Sequence, residues 1–345
     1  MKKGKTISEL AVELNRQMET KKDYLSDTRN IELINQPAVN DIGKKFLLAL
    51  KGGHQFTVNG ICHDQIATRL QIPKAYYDRM AGGDPWLLTQ NVNRWLQNTP
   101  ERRMVRTIDG MARAFLSDKY RPLDNYDLAQ AVLPVISDLG CKIESCELTE
   151  RRLYIKCVND KVEGEILKGD IVQAGVVISN SEVRCGSVKI EPMVYRLSCL
   201  NGLISADLSM RKYHVGRSGD DFERDNTALF YKDETRMADD KAFWLKVRDV
   251  VSGSLNEAIF KQITDKMKLA AGIKLGNDPI KEVEEVSKKI LLSKDEQSNV
   301  LRFLIEGGDL TLYGMMNAIT KMAQDVPDYD RSTDLERIAG ALIEV

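Results

Sequence analysis

Glu101–Gly140 reads ERRMVRTIDGMARAFLSDKYRPLDNYDLAQAVLPVISDLG: two β-prone runs, a tight turn and an amphipathic helix. Asp109-Gly110 lies between the runs and favours a two-residue type I′ turn, because both central residues need positive φ. Unbroken pairing from that turn sets Ile108 opposite Met111, Arg106 opposite Arg113 and Met104 opposite Phe115. Like charges directly across a strand pair repel, so an anion or carboxylates from elsewhere must lie between the two arginines. Arg102, Arg103, Lys119 and Arg121 surround them. The segment from Arg102 to Arg121 holds six basic residues against Asp109 and Asp118, an excess of four in a chain whose net charge is −1. The pattern predicts a phosphate-binding hairpin carrying Arg103, Arg106, Arg113, Lys119, Tyr120 and Arg121. The alternative is a strand face whose arginines meet Glu or Asp supplied by the fold.

Beyond the hairpin, Asp124 or Asn125 can cap a helix, with Pro122 just outside it. Leu128, Ala131, Val132, Val135, Ile136 and Leu139 fall on one helical face. Gly140 suits a C-terminal stop, and Pro134 should kink the helix near its middle. This helix is expected to pack across the back of the hairpin's sheet and leave the other face open.

Working outward, the 345 residues suffice for one large or two medium domains. No run approaches the length of a membrane span, and MKKGKTISELAVEL lacks the apolar core of a signal peptide. Six scattered cysteines contain no C-x-x-C pair, which fits a reducing cytoplasm. With 50 basic and 51 acidic residues, any nucleic-acid binding must come from a local patch.

In chain order, Ile7 to Tyr24 reads as an amphipathic helix with Leu10, Ala11, Leu14 and Met18 on one side, polar enough for a peripheral arm. Gln55–Val58 is a short strand. His63–Met80, HDQIATRLQIPKAYYDRM, has the apolar spacing of a helix-turn-helix with Pro73 in the first turn of its second helix. Such a helix would present Lys74, Asp78 and Arg79, but Gln71 stands where Gly is usual and Asp78 would repel phosphates. A plain helical pair is the favoured reading. Trp86–Leu96 reads as a core helix. Cys141–Leu148 and Leu153–Val158 are strands, Lys161–Gly169 a loop, and Asp170–Ser179 with Val183–Ile190 a hairpin around Asn180-Ser181. Glu191–Leu200 reads as a helix that Asn201-Gly202 ends. Arg211, Lys212, Tyr213, His214 and Arg217 form a second basic cluster. From Arg184 to Arg217, six Lys or Arg stand against Glu191 and Asp207. After residue 236 the pattern is helical, with a polar loop, Asp328–Asp334, before a last helix. The expected fold class is α+β: an antiparallel sheet of hairpins packed with helices, followed by a helical C-terminal region. The expected divisions are an N-terminal helical arm over 1–50, an α+β core over 51–235 and a helical region over 236–345.

Chemistry-bearing motifs are sparse. His54, His63 and His214 do not combine with cysteines at metal-ligand spacing. No Walker A or G-x-G-x-x-G loop is present, and no G-x-S-x-G elbow. Neither a metal, a cofactor nor a catalytic set is expected.

MARAFLSDKYRPLDNYDL, VYRLSCLNGLI, RKYHVGR and LYGMMNAITKMAQD resemble the phage- and plasmid-encoded family known as domain of unknown function 932, from roughly Phe56 to the C-terminus. The resemblance implies a mobile-element setting. The order of hairpin, helix, strands and helix is similar to that of phage single-strand annealing proteins of the Red-beta and Erf type, an analogy at the level of the fold. Together these readings predict a non-enzymatic protein that binds and anneals single-stranded DNA in recombination, assembled as a homo-oligomeric ring or filament and not attached to a membrane. Backbone phosphates would meet Arg103, Arg106, Arg113, Lys119, Arg121, Arg196, Arg211, Lys212, His214 and Arg217. Tyr120, Tyr154 or Tyr213 would stack on bases. The alternatives are a metal-dependent nuclease, with acids such as Asp220-Asp221 or Asp239-Asp240, and a duplex-binding regulator using 63–80.

Overall fold

The computed structural model describes residues 1–36, 45–205, 233–276 and 278–344. The fold is α+β, with one mixed sheet, one antiparallel sheet and six C-terminal helices among the described residues. Contacts divide the chain into two compact units. The hairpin unit comprises Ala11–Tyr126 and Glu182–Gly186; the C-terminal unit comprises Met1–Leu10, Asp127–Ser181 and Ser187–Val345. The first helix, α1 (Ile7–Thr20), buries Leu10 and Leu14 but leaves Met18 half exposed, and it stops before Tyr24, which lies in a strand.

In the hairpin unit the strands are β1 (Lys22–Asp27), β2 (Ile31–Asn35), β3 (Phe46–Leu50), β4 (His54–Val58), β5 (Arg102–Ile108) and β6 (Met111–Ser117). They form one sheet in the order β1-β5-β6-β4-β3-β2, antiparallel except where β4 meets β6. The sequence pattern showed no strand between residues 22 and 50, yet three lie there. β1 is a polar edge strand, so it lacks the apolar alternation that marks a half-buried strand. One sheet face is covered by α2 (Gly60–Arg69), α3 (Lys74–Gly83) and α4 (Pro85–Asn98). Leu33, Leu48, Phe56, Val105 and Phe115 pack there against Ile66, Tyr77, Leu88, Val92 and Leu96. Each fully buried aliphatic or aromatic side chain contributes roughly 1.5–3 kcal/mol. On the edge strand β2, the Asn93 side chain of α4 pairs with the outward backbone of Leu33. Leu33 N–H donates to Asn93 Oδ1 at 2.8 Å, and Asn93 Nδ2 donates to the Leu33 carbonyl at 3.0 Å. Glu182–Gly186 joins this unit by bringing Val183 against Met104, Ala114 and Leu116.

The C-terminal unit is built on a second sheet of β7 (Lys142–Leu148), β8 (Leu153–Glu165), β9 (Ile171–Asn180), β10 (Lys189–Arg196) and β11 (Asn201–Ile204). Its strands are all antiparallel in the order β11-β10-β9-β8-β7. Three readings are corrected here. Glu191–Leu200 is largely strand, because residues 190–195 are buried on both faces and show no period of two to reveal it. The expected Val183–Ile190 strand begins only at Lys189, since 182–186 leaves to join the other unit. The expected loop 161–169 is strand as far as Glu165.

Helix α5 (Asn125–Asp138) contains Pro134, buries Leu128, Val132, Val135 and Ile136, and is followed by Gly140 at φ 68°. From Asp127 onward it groups with the C-terminal unit, and the expected backing of the hairpin's sheet comes from α2–α4. The remaining helices are α6 (Asp233–Ser254), α7 (Glu257–Gly272), α8 (Pro279–Lys289), α9 (Lys294–Gly307), α10 (Leu312–Asp325) and α11 (Tyr329–Ala341). The expected polar loop 328–334 is the N-cap and first turns of α11. Asp328 caps it through Asp330 N–H and Arg331 N–H, while Ser332, Thr333 and Glu336 are buried. Glu336 receives the Lys156 ammonium, and both are fully buried. Their burial works against the Lys156 charge and lowers its pKa in spite of the carboxylate.

Candidate functional site

The hairpin turn forms as its sequence requires, with Asp109 at φ 51° and Gly110 at φ 74°. Ile108 lies opposite Met111, but a bulge follows. Thr107 pairs with Ala112 and Arg106 with Ala114, which leaves Arg113 as the extra residue. The expected Arg106–Arg113 cross-strand pair is therefore absent, and Met104 lies opposite Leu116 instead of Phe115. Each arginine has its own acids. Arg106 donates from Nε to Asp23 at 2.8 Å, from Nη1 to the Glu182 carbonyl at 2.9 Å and from Nη2 to Asp124 at 2.9 Å. Arg113 Nη2 donates to the Glu182 carboxylate. Lys21 donates to the other Glu182 oxygen at 2.9 Å and lies 3.3 Å from Asp124. The Asn125 N–H, at the start of α5, donates to Glu182 Oε1 at 2.7 Å.

Three cations thus meet three carboxylates. Arg106 is 1% exposed at its side chain and Glu182 2%. Burial works against the Arg106 charge, but Asp124 and Asp23 outweigh it and raise its pKa. Burial would raise Glu182 too, yet Arg113, Lys21 and the Asn125 N–H bring it down to about 2. Arg113 Nε keeps an unpartnered N–H, but the arginines, Lys21 and Glu182 are each 10% exposed or less at their side chains, too enclosed to admit a phosphate. The arginines expected to hold a backbone hold the hairpin unit together.

The other expected residues are dispersed. Arg103 is buried, donates to Glu101 at 2.7 Å and lies over the Phe115 ring. Lys119 is exposed. Tyr120 and Arg121 are half-buried; Tyr120 packs beside Met104, Ala114 and Leu116, and burial raises its pKa. In the C-terminal unit, Arg196 donates to Asp170 at 2.6 Å and lies over the Tyr313 ring, whose hydroxyl donates to the same carboxylate at 2.7 Å. Tyr154 is fully buried and donates to Asp330 at 2.7 Å, so it offers no face to a base. Arg211, Lys212, Tyr213, His214 and Arg217, like Asp220-Asp221, lie outside the described residues.

A different surface of the hairpin unit is open. A groove of about 440 Å³ is lined by Arg69, Leu70, Gln71, Ile72, Pro73, Tyr76, Asn91, Trp95 and Thr99. Helix α2 ends at Arg69, and Gln71 takes a left-handed φ of 55° to turn the chain. The Ile72 N–H returns to the Ala67 carbonyl at 2.9 Å, and α3 begins after Pro73. The helix-turn-helix spacing read from residues 63–80 is thus a real helical pair. On α3, Tyr77 turns inward and shares a 2.7 Å hydrogen bond with His63 Nδ1, so neighbouring Tyr76 is left 46% exposed. On α4, Leu88, Val92 and Leu96 point inward at intervals of four, which leaves Trp95 46% and Trp86 65% exposed. The tryptophans read as core are surface residues. Asn91 Nδ2 donates to the Leu87 carbonyl at 3.0 Å, which leaves its carbonyl oxygen as an acceptor. Arg69 presents its guanidinium edge to Glu101. The groove therefore combines two aromatic surfaces, an arginine and an amide.

Among the described residues, no group of three or more His, Cys, Asp or Glu is placed to hold a metal ion. No helix among them is long and apolar enough to cross a membrane. The chain matches no family model, no curated protein and no solved structure.

Proposed function

We propose that the protein binds single-stranded DNA without cleaving it, as an oligomeric annealing factor of a mobile element, and that the α2–α4 groove holds the bases. The observation that carries this reading is the pair of half-exposed aromatic side chains, Tyr76 and Trp95, lining one groove with Arg69. Stacking of a base on an aromatic ring is worth about 1–3 kcal/mol and tolerates any sequence, because every base has a π-face. An annealing protein needs that tolerance. Readout of a duplex by α3 is less favoured, since Lys74 on its outer side is neutralised by Asp64 at 3.1 Å and Asp78 at 2.6 Å. The motif resemblance to phage and plasmid proteins supplies the mobile-element setting.

The test is quenching of tryptophan fluorescence by an oligothymidylate at several salt concentrations. Trp95→Ala should weaken binding at least fivefold, in line with about 1 kcal/mol of lost stacking, and binding should weaken as salt rises. Equal affinity of wild type and Trp95→Ala, or a preference for duplex, would overturn the assignment of the groove.

A further inference from the structure

Arg69, Arg103, Arg106 and Arg113 of the hairpin unit each face a carboxylate, so these arginines can take up a phosphate only by exchange. The pairs differ in how readily they exchange. Arg106 and Arg113 are 1% and 10% exposed at their side chains, and their acids are shared with Lys21 in a closed cluster. Removing an acid there strands a buried charge. Arg69 is 48% exposed, lines the open groove and donates from Nε and Nη2 to the two oxygens of Glu101. Two parallel N–H donors on two oxygens is the fork by which a guanidinium also binds a phosphate.

Glu101 has a second guanidinium. Arg103 Nε donates to its Oε1 at 2.7 Å from behind, itself buried over Phe115. The Glu101 backbone is fixed by Thr28, whose N–H donates to the Glu101 carbonyl at 2.9 Å and whose hydroxyl accepts the Glu101 N–H at 3.1 Å. If a phosphate displaced Glu101 from Arg69, the carboxylate would keep Arg103 and its place in the chain. The Glu101 carboxylate would stay paired with Arg103, and the Arg69 guanidinium would be paired with the phosphate.

We propose that Glu101 is a resident stand-in for phosphate, and that Arg69 receives the nucleic-acid backbone by carboxylate-for-phosphate exchange while Trp95 and Tyr76 hold bases. This rests on the groove reading above. Glu101 then acts as an internal competitor that sets a threshold against weak anions and favours polyanions with a base to stack. No covalent step is involved.

The experiment titrates a fluorescein-labelled 20-nucleotide oligothymidylate into wild type, Glu101→Gln, Arg69→Gln and Trp95→Ala, each with its melting curve. Glu101→Gln should bind three- to tenfold tighter, and Arg69→Gln at least fivefold weaker, with a slope of log affinity against log salt lower by about 0.7, as expected for one single-strand phosphate contact. Arg69→Gln leaves Glu101 paired with Arg103, so it should fold and keeps the proposal testable if Glu101→Gln does not. Unchanged affinity and salt slope in Arg69→Gln, with binding lost in Trp95→Ala, would overturn the exchange and leave the groove standing. Unchanged affinity in Trp95→Ala would remove the groove reading itself. Tighter binding of a proline-rich peptide than of the oligonucleotide would assign the groove to protein and overturn both.

Discussion

Arg106 offers three donors to three acceptors on three separate segments, at Asp23, Asp124 and the Glu182 backbone. Breaking a buried charge pair by removing one partner costs about 3–5 kcal/mol, mostly because the other charge stays buried. The double substitution Arg106→Gln/Arg113→Gln should therefore lower stability by at least about 3 kcal/mol and leave oligonucleotide affinity unchanged in whatever fraction folds. Calorimetry together with fluorescence titration checks both, and weakened binding at unchanged melting temperature would return the phosphate site to the hairpin. Glu182 gives the same cluster a pH dependence. Its folded-state pKa, about 2, lies below its ordinary 4.5. The stabilisation is thus complete above about pH 4.5 and is lost as pH falls from there toward 2, in total on the order of 3 kcal/mol. Glu182→Gln should lower stability at pH 7 and flatten its fall between pH 5 and 3. A wild-type slope retained in that variant, measured by urea unfolding across the range, would place the titration elsewhere.

Two helical pairs, one in each unit, turn by the same device. Gln71 after α2 and Leu291 after α8 both adopt φ 55°. In each, the next N–H reaches back five residues, Ile72 to Ala67 and Leu292 to Ser287. Glycine is usual at this left-handed position, since a side chain there costs about 1–2 kcal/mol. Gln71→Gly and Leu291→Gly should each raise stability by roughly 0.5–1 kcal/mol, after glycine's own entropic cost in the unfolded chain; a lower melting temperature in either would mean that the side chain makes a contact worth more than the strain. The first of these turns was readable in the sequence as a helix-turn-helix spacing with an anomalous Gln71. The hairpin turn was readable too, because Asp-Gly carries its conformation locally. The bulge was not. It brings Arg113 to a carboxylate 69 positions away, and no local pattern encodes such a partner. The groove was hidden for a related reason: Trp86 and Trp95 are apolar, so the eye assigns them inward, whereas the interval Leu88, Val92, Leu96 already fills the inner side of α4. The α+β class followed from strands and helices that mostly stand where periodicity put them. β1 and the strand over 189–196 escaped because an exposed edge or burial on both faces erases the alternation, and β3, FLLAL, because its half-buried positions are apolar too.

At the scale of the whole molecule, an annealing factor must spread along a strand, so light scattering should detect a particle larger than one chain when oligothymidylate is present. A strictly monomeric protein with and without DNA would leave single-strand binding possible and annealing untenable. The way such a particle can be built is constrained by the two edges of the mixed sheet. β1 carries Lys22, Asp23 and Asp27, charges that discourage a new strand. On β2, Asn93 occupies both outward backbone groups of Leu33 with one amide. Asn93→Ala should cost about 1–3 kcal/mol for the donor and acceptor left open, and should bring on thioflavin-positive aggregation that the wild type lacks; a variant that stays clear and monodisperse would show the edge to be guarded by something else. An amide that imitates a neighbouring strand makes the sheet finite. Under the proposed annealing role, copies of this chain would not lengthen the mixed sheet at Leu33, and side-chain contacts, which ligand and salt can make and unmake, would let an assembly on a DNA strand come apart once the strands had paired.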